Sequence, residues 1–591
     1  MRTLRHPGAL SGMASAAFVA ATLSVPAVTH AASGSPAATP ARGGVLNVLS
    51  YTDGDWLDPN ITYYSVGYTL AREYSRQLYS MPARKGETTD TVPDLATRMP
   101  RISDHGKTYR ITIRKGAKWD TAKPHQVTAA DVVRGVKTTC NPARPFGGLP
   151  DYEDLLVGFA NFCQGFARVQ PTATAIKHYT NSHGFKGVQS SHSNPRTVIF
   201  HLTHRASYFT DMLALPAFSP RAKQMLNYLP GSLKDSKNVV ADGPYRVSSY
   251  QPGQRLVFVR NPAWKGGTDP VRKAYVDKIV VSMGDSTTSS VAKIHKGSQS
   301  ADVYLGGIDY FDAAQFQAKG DKRLTIMPSI TSSPYILFNC ASPNNNGGLQ
   351  QTDVRQALSY ALDRSEIRNA IGFTEFNPPL THVLPPEILG SLNFNRYPHD
   401  TDKANSMLQA AGQSNMTLTF LYEEGFTSSF NVFQAVKNEL SQVGVTVTGK
   451  AVSPVDYYTK YLANPSKAQT GDWDLAEAGW GPDWYGNAAL SFFGPLYDGR
   501  KQPPASSNYG LFDDPNVNDL IDEGSRATES KAFDVWHRAD LAVMNDAPVF
   551  PLSDPRTPLY RATQAHNAVS MPMMGGFDLS NIWLDPDKNG G

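Results

Sequence analysis

The run from Met416 to Val452 constrains the fold most. "MTLTFLY" (416–422) reads as a strand, and "FNVFQAVKNELSQVG" (430–444) puts Phe433, Val436, Leu440 and Val443 on one helical face. "VTVTGKAV" (445–452) reads as a strand again. Strand, helix and strand in so short a span make a β-α-β unit, which needs two parallel strands joined by a crossover. The second half is therefore predicted to be α/β with some parallel sheet. Three more helices are predicted there: Thr352–Ile371, with Asp353 and Gln356 as a capping box, Asp400–Gly412 with a glycine stop, and Phe533–Asp546. The first third is predicted to be β-rich. Its strands are "GGVLNVLSY" (43–51), "TYRITIRKGAKW" (108–119), "TVIFHLTH" (197–204) and a hairpin over 243–261 that turns at Pro252-Gly253. "TAADVVRGVK" (128–137) is predicted to be a helix capped by Thr128.

The first 31 residues have the pattern of a secretory signal peptide: Arg2 and Arg5, an apolar run from Met13 to Val28, then Thr29-His30-Ala31. Residues 32–42, rich in Ala, Ser and Pro, read as a flexible tether. The formal charge of +4 falls to about +2 once Arg2 and Arg5 are removed, too balanced for a nucleic-acid or membrane-surface binder. The chain has three cysteines, and in an oxidising compartment Cys140 and Cys163 are the expected pair because they lie nearest in sequence.

The motifs of familiar chemistries are missing. No Gly-x-Ser-x-Gly elbow, His-Glu-x-x-His, Walker loop or Gly-x-Gly-x-x-Gly occurs, and no Cys/His spacing suggests a metal. Gly284-Asp285-Ser286 is a weak hydrolase-like tripeptide and reads better as a turn. Glu423 with Glu424 makes no persuasive acid/base pair, because adjacent strand residues point to opposite faces, and Asp53 with Asp55 makes none because both sit in a turn-rich loop. The expectation is a binding protein with no cofactor.

"EAGWGPDWYG" (477–486) gathers three aromatic rings and the Asp483 carboxylate among three glycines and a proline, poor helix and poor strand alike. With other segments in order it resembles the extracellular solute-binding proteins of ABC importers, family 5. "GGVLNVLSYTDGDWLDPN" is similar to that family's opening strand. Residues 92–133 are similar to its most recognisable block through Pro93, Leu95, Ala96, Gly116, Trp119, Pro124, Thr128, Ala129, Asp131 and Val132. "ADGPYRVSSYQPGQRLVFVRNPAWKG", "DVRQALSYALDRSEI", "DTDKANSMLQAAG", "WDLAEAGWGPDW" and "DAPVFPL" complete a likeness covering nearly all of 43–585. It departs from the pattern at Asp120-Thr121-Ala122-Lys123 and at Ala241-Asp242-Gly243, and no lipid-anchor cysteine follows the signal.

The resemblance implies an α/β, two-lobed fold of the periplasmic-binding-protein kind (class II type), with an extra domain inserted in the first lobe. Lobe one would comprise 43–78, 225–335 and 566–591, the insert 79–224 and lobe two 336–565, with hinges near Pro334-Tyr335-Ile336 and near Met571. The implied function is capture of di- or oligopeptides in the interlobe cleft, for an ABC permease that recognises the closed form. A sugar, a metal chelate or an exported enzyme is the alternative. Asp483 falls on the family's anchor for a peptide α-ammonium and Trp480 on the tryptophan beside the pocket. Gly481 and Trp484 flank them, and Glu477 is read as a brace for the loop. On lobe one, Thr52, Asp53 and Trp56 lie in the expected edge, Ser50–Trp56. The protein is expected to be an exported monomer, periplasmic or at the cell surface, binding a small solute and no nucleic acid.

Overall fold

The computed structural model describes residues 39–503 and 506–586. The expected signal peptide, 1–31, and residues 32–38 of the tether lie outside the described residues. Among the described residues, no helix is long and apolar enough to cross a membrane.

Alternation in the first third produces a five-stranded sheet ordered Val303–Tyr304, Val45–Ser50, Lys278–Met283, Arg255–Arg260 and Tyr245–Gln251. Val45–Ser50 runs parallel to both neighbours, and the last two strands form the antiparallel hairpin. Leu46, Val48, Phe258, Ile279 and Val281 are fully buried in this lobe's core. A second sheet, of Arg101–Ser103, Thr108–Thr112, Thr197–His201 and Val188–Ser190, belongs to the inserted region. Helix Ala129–Thr138 packs against it and begins with a reciprocal capping box between Thr128 and Asp131. Just past this helix, Cys140 is bonded to Cys163 (Cα–Cα 5.5 Å).

The second lobe carries a five-stranded sheet ordered Thr446–Val452, Thr417–Glu423, Leu475–Trp480, Ser332–Phe338 and Val549–Pro551. The first two are parallel over seven residue pairs, joined by helix Thr427–Ser441. The fold is thus α/β and two-lobed. Two local expectations fail. The helix predicted over 352–371 is two helices, Thr352–Ala361 and Arg364–Ile371, because Asp363 leaves the helix to accept from the Ser365 N–H (2.7 Å). No side chain caps the first of them, and Gln356 donates instead to the Asn545 carbonyl (2.6 Å). The first four residues of the glycine-rich stretch, 477–480, are strand, not loop. They pair with Ser332–Phe338, and Gly479 suits that pairing because a Cβ there would lie 2.5 Å from Ser333 Oγ.

The chain passes between lobes at 328–331 and again at 552–556. The first segment leads from the strand Leu324–Met327 into Ser332–Phe338, and the second leads back into Thr557–Tyr560, which pairs antiparallel with Leu324–Met327. Met571 lies beyond both, in a short ladder with Gly576–Phe577, and Phe577 is in the core of lobe one.

The proline-x-leucine-alanine stretch contains Asp94, the centre of a dry ion cluster. Its carboxylate receives Arg76 (2.8 Å) and Arg272 (2.7 Å), and Arg272 also meets Asp269 (3.4 Å), all four side chains 0% exposed. The guanidiniums come from lobe one, the carboxylate from the start of the inserted region. Asp94→Ala leaves two buried guanidiniums to share the one remaining carboxylate, Asp269, and should lower unfolding free energy by about 3 kcal/mol in urea denaturation.

Candidate functional site

Asp55 organises the lobe-one wall. It accepts from Thr62 Oγ1 and, through Oδ2, from the Tyr63 N–H (2.6 Å), which sets Tyr63 and Tyr64 just ahead of helix Ser65–Tyr74. Tyr63 Oη donates across the cleft to Asp483 Oδ1. On the other lobe, Ser491, at the start of helix Leu490–Tyr497, holds the loop. Its hydroxyl donates to Asp483 Oδ2 (3.1 Å) and accepts from the Asp483 N–H (2.7 Å), and its carbonyl accepts from Trp480 Nε1 (2.7 Å). Burial pushes the Asp483 carboxyl above its usual range, and the Tyr63 and Ser491 hydroxyls hold that rise back.

Asp483, Tyr63, Tyr64 and Tyr68 line a cavity of about 400 Å³ between the lobes. A second cavity of about 440 Å³, lined by Trp480, Tyr457, Tyr458, Glu423 and Glu477, adjoins it. Both are walled by Thr331, Gly481 and Pro555, so the two interlobe crossings are part of the site.

The residues expected to bind ligand divide sharply. Asp483, Trp480 and Gly481 line these cavities. Trp484 does not: it is 1% exposed, donates Nε1 to the Asn487 carbonyl and stacks on Tyr208 of the inserted region at 5.5 Å. Gly486, next in the loop, has φ +79°, and a Cβ there would lie 2.7 Å from Asp211 Oδ2. Thr52, Asp53 and Trp56 are absent from the lining of the Asp483 cavity. Asp53 Oδ2 accepts from Tyr250 Oη (2.8 Å) and the Gly253 N–H (2.7 Å), Thr52 turns on Ser50 Oγ, and the Arg144 guanidinium covers the Trp56 ring at 4.9 Å. These contacts tie the expected lobe-one edge into its own lobe. The lobe-one residues that sequence reasoning missed, Tyr63, Tyr64 and Tyr68, follow it closely, and their clustering was the available signal. Glu477 does not brace the Asp483 loop but faces Glu423's cavity.

Ser286 caps helix Thr287–His295 by accepting from the Ser289 N–H, and Asp285 pairs with Lys293, which gives the Gly284–Ser286 turn a structural role. Among the described residues, no group of three or more His, Cys, Asp or Glu is placed to hold a metal.

Residues 90–502 match the family model "Bacterial extracellular solute-binding proteins, family 5 Middle". The chain belongs to this family of ABC-importer solute-binding proteins. It is 24% identical over 476 residues to the dipeptide-binding protein of Escherichia coli (78% of this chain, 80% of that protein). It is 25% identical over 495 residues to the heme-binding protein A of Haemophilus influenzae (81% and 82%). Among solved structures, clavulanic acid biosynthesis oligopeptide binding protein 2 superposes with a TM-score of 0.80 at 26% identity (92% of this chain, 96% of that one). A periplasmic binding protein from Helicobacter pylori in complex with peptide STSA gives 0.66 at 19% (92% and 98%), a likeness of fold.

Burial pushes the Glu477 carboxyl up to about 7. A folded-state pKa above the unfolded one means that the folded chain holds the extra proton, so its stability falls as pH rises from about 4.5 to about 7. Glu477→Gln should therefore be more stable than the wild type at pH 8, by at most about 3 kcal/mol. The two should melt alike at pH 4, as thermal unfolding at both pH values will show.

Proposed function

We propose that this protein captures peptides in the cleft between its lobes and delivers them to an ABC permease. The observation that carries this reading is the Asp483 carboxylate. It is half-buried at the cavity wall, its partners are the hydroxyls of Tyr63 and Ser491, and no cation is paired with it among the described residues. A peptide α-ammonium supplies the missing charge through a charge-assisted hydrogen bond, roughly twice as strong as a neutral one. Trp480 gives the pocket an apolar wall whose indole N–H is already satisfied.

The main chain beside Asp483 suits an extended ligand. Past Ala476 the strand Leu475–Trp480 parts from Thr417–Glu423, with which it pairs only at Phe420–Leu475 and Leu421–Ala476. A peptide that adds to such an edge is held by its backbone and tolerated in its side chains. Closure is a hinge motion about 328–331 and 552–556, and the closed form is what the permease meets. The named relatives include a dipeptide-binding and a heme-binding protein, so the ligand must be argued from this chain's own wall.

Thermal-shift measurements with peptide, sugar and metal-chelate panels test the reading. Peptides should raise the melting temperature and the other panels should not. Asp483→Asn should weaken peptide binding about tenfold or more, and N-acetylation of the peptide should do the same to the wild type. Equal stabilisation of wild type and Asp483→Asn would overturn the ammonium anchor.

A further inference from the structure

The geometry points to a second ligand subsite beside the Asp483 cavity, in which Glu477 and Glu423 take up a guanidinium or ammonium group. It rests on the reading of the cleft as the ligand site and adds a preference for basic ligands.

The subsite forms where two parallel strands part. The Tyr457 hydroxyl stands between them, 3.1 Å from the Leu421 carbonyl and 2.7 Å from the Glu477 carbonyl, and accepts from the Glu477 N–H (3.1 Å). Beyond it the carboxyl ends of both strands open into the 440 Å³ cavity, with Glu423 on one and Glu477 on the other. Ligands of α/β sheets bind at such strand ends. Glu477 Oε2 is closed off from solvent and has no hydrogen-bond partner. A buried carboxylate oxygen left so is costly in a merely structural role. No lysine, arginine or histidine lines the cavity among the described residues. What faces Glu477 is Glu423 from the neighbouring strand, the phenols of Tyr457 and Tyr458, and the Ser429 hydroxyl. Two carboxylates and two aromatic rings suit a cation and repel an anion. Gly481 and Thr331 join this cavity to that of Asp483, so one ligand can place its α-ammonium in the first and a basic side chain in the second.

The same groups fix the pH dependence. Burial, together with the Glu423 charge and against the Ser429 hydroxyl, pushes the Glu477 carboxyl up to about 7, and Glu423 is itself raised by burial. A cation binds the ionised form, so affinity rises with pH through 7.

Isothermal titration calorimetry of the purified chain with Ala-Ala-Ala, Ala-Arg-Ala, Ala-Ala-Arg and agmatine tests this. At pH 8 an arginine tripeptide should bind about tenfold tighter than Ala-Ala-Ala. That preference should shrink to about threefold or less at pH 5.5 and, at pH 8, in Glu477→Gln and in Glu423→Gln. Agmatine bound with the same dependence on Glu477, with no tripeptide bound, would support the subsite and overturn the peptide reading. Ala-Ala-Ala bound as tightly as both arginine tripeptides, and still dependent on Asp483, would overturn the subsite alone. Binding of no probe at millimolar concentration would overturn both.

Discussion

The paired crossing of the chain between its lobes is the constraint on which the rest depends. Ser333 N–H donates to the Ser553 carbonyl (3.0 Å), Ser553 Oγ donates to the Ser333 carbonyl (2.9 Å), and Leu552 N–H donates to the Pro334 carbonyl (3.2 Å). On the lobe-one side the same two segments continue as a four-pair ladder, from Met327–Thr557 to Leu324–Tyr560. Two segments bonded to each other bend together or not at all. Thr331 and Pro555, from these segments, also wall both cavities. A molecule lodged there touches both crossings directly.

The acids among the described residues are met in different ways. Asp94 and Asp269 meet Arg76 and Arg272 in a cluster that is dry and mutually compensated. Such sites are finished by the fold itself. Asp483 and Glu477 differ from that cluster: each is half-buried, each titrates above its usual range, and neither is paired with a cation among the described residues. A fold that supplies arginines to Asp94 and none to these two has left their charge for something else to meet. Uncompensated acids of this kind concentrate at functional sites.

What was legible in the sequence was local. The β-α-β unit at 417–452 showed because its periods of 2 and 3.6 follow one another without interruption, and the Thr128–Asp131 capping box because its partners are three residues apart. Asp483, Trp480 and Gly481 stood out as a dense aromatic, glycine-rich stretch. What failed depended on partners distant in sequence. Asp53 looked like a cleft residue until Tyr250 and Gly253, some two hundred positions on, claimed its carboxylate. Trp484 looked like its neighbour Trp480, yet Tyr208 draws it into the core. Asp94 sat unnoticed as the variable letter of a motif, since nothing near it announces Arg272. Glu423 was weighed against Glu424, its neighbour in the chain, whereas its charge partner is Glu477 on the adjacent strand.

Glu423 and Glu477 also show why family membership and specificity are different kinds of information. Strand order and crossings are set by main-chain pairing and apolar periodicity, and the fold is kept at 26% identity in the clavulanic acid biosynthesis oligopeptide binding protein 2 (TM-score 0.80). The character of the pocket is set by which side chains stand at the ends of two strands, and a single substitution there changes it without disturbing the sheet. The Tyr457 hydroxyl, by occupying the gap between Leu421 and Glu477, holds those ends apart whatever they carry. The scaffold therefore fixes the place of the second cavity, and the two carboxylates fix the charge of what it favours.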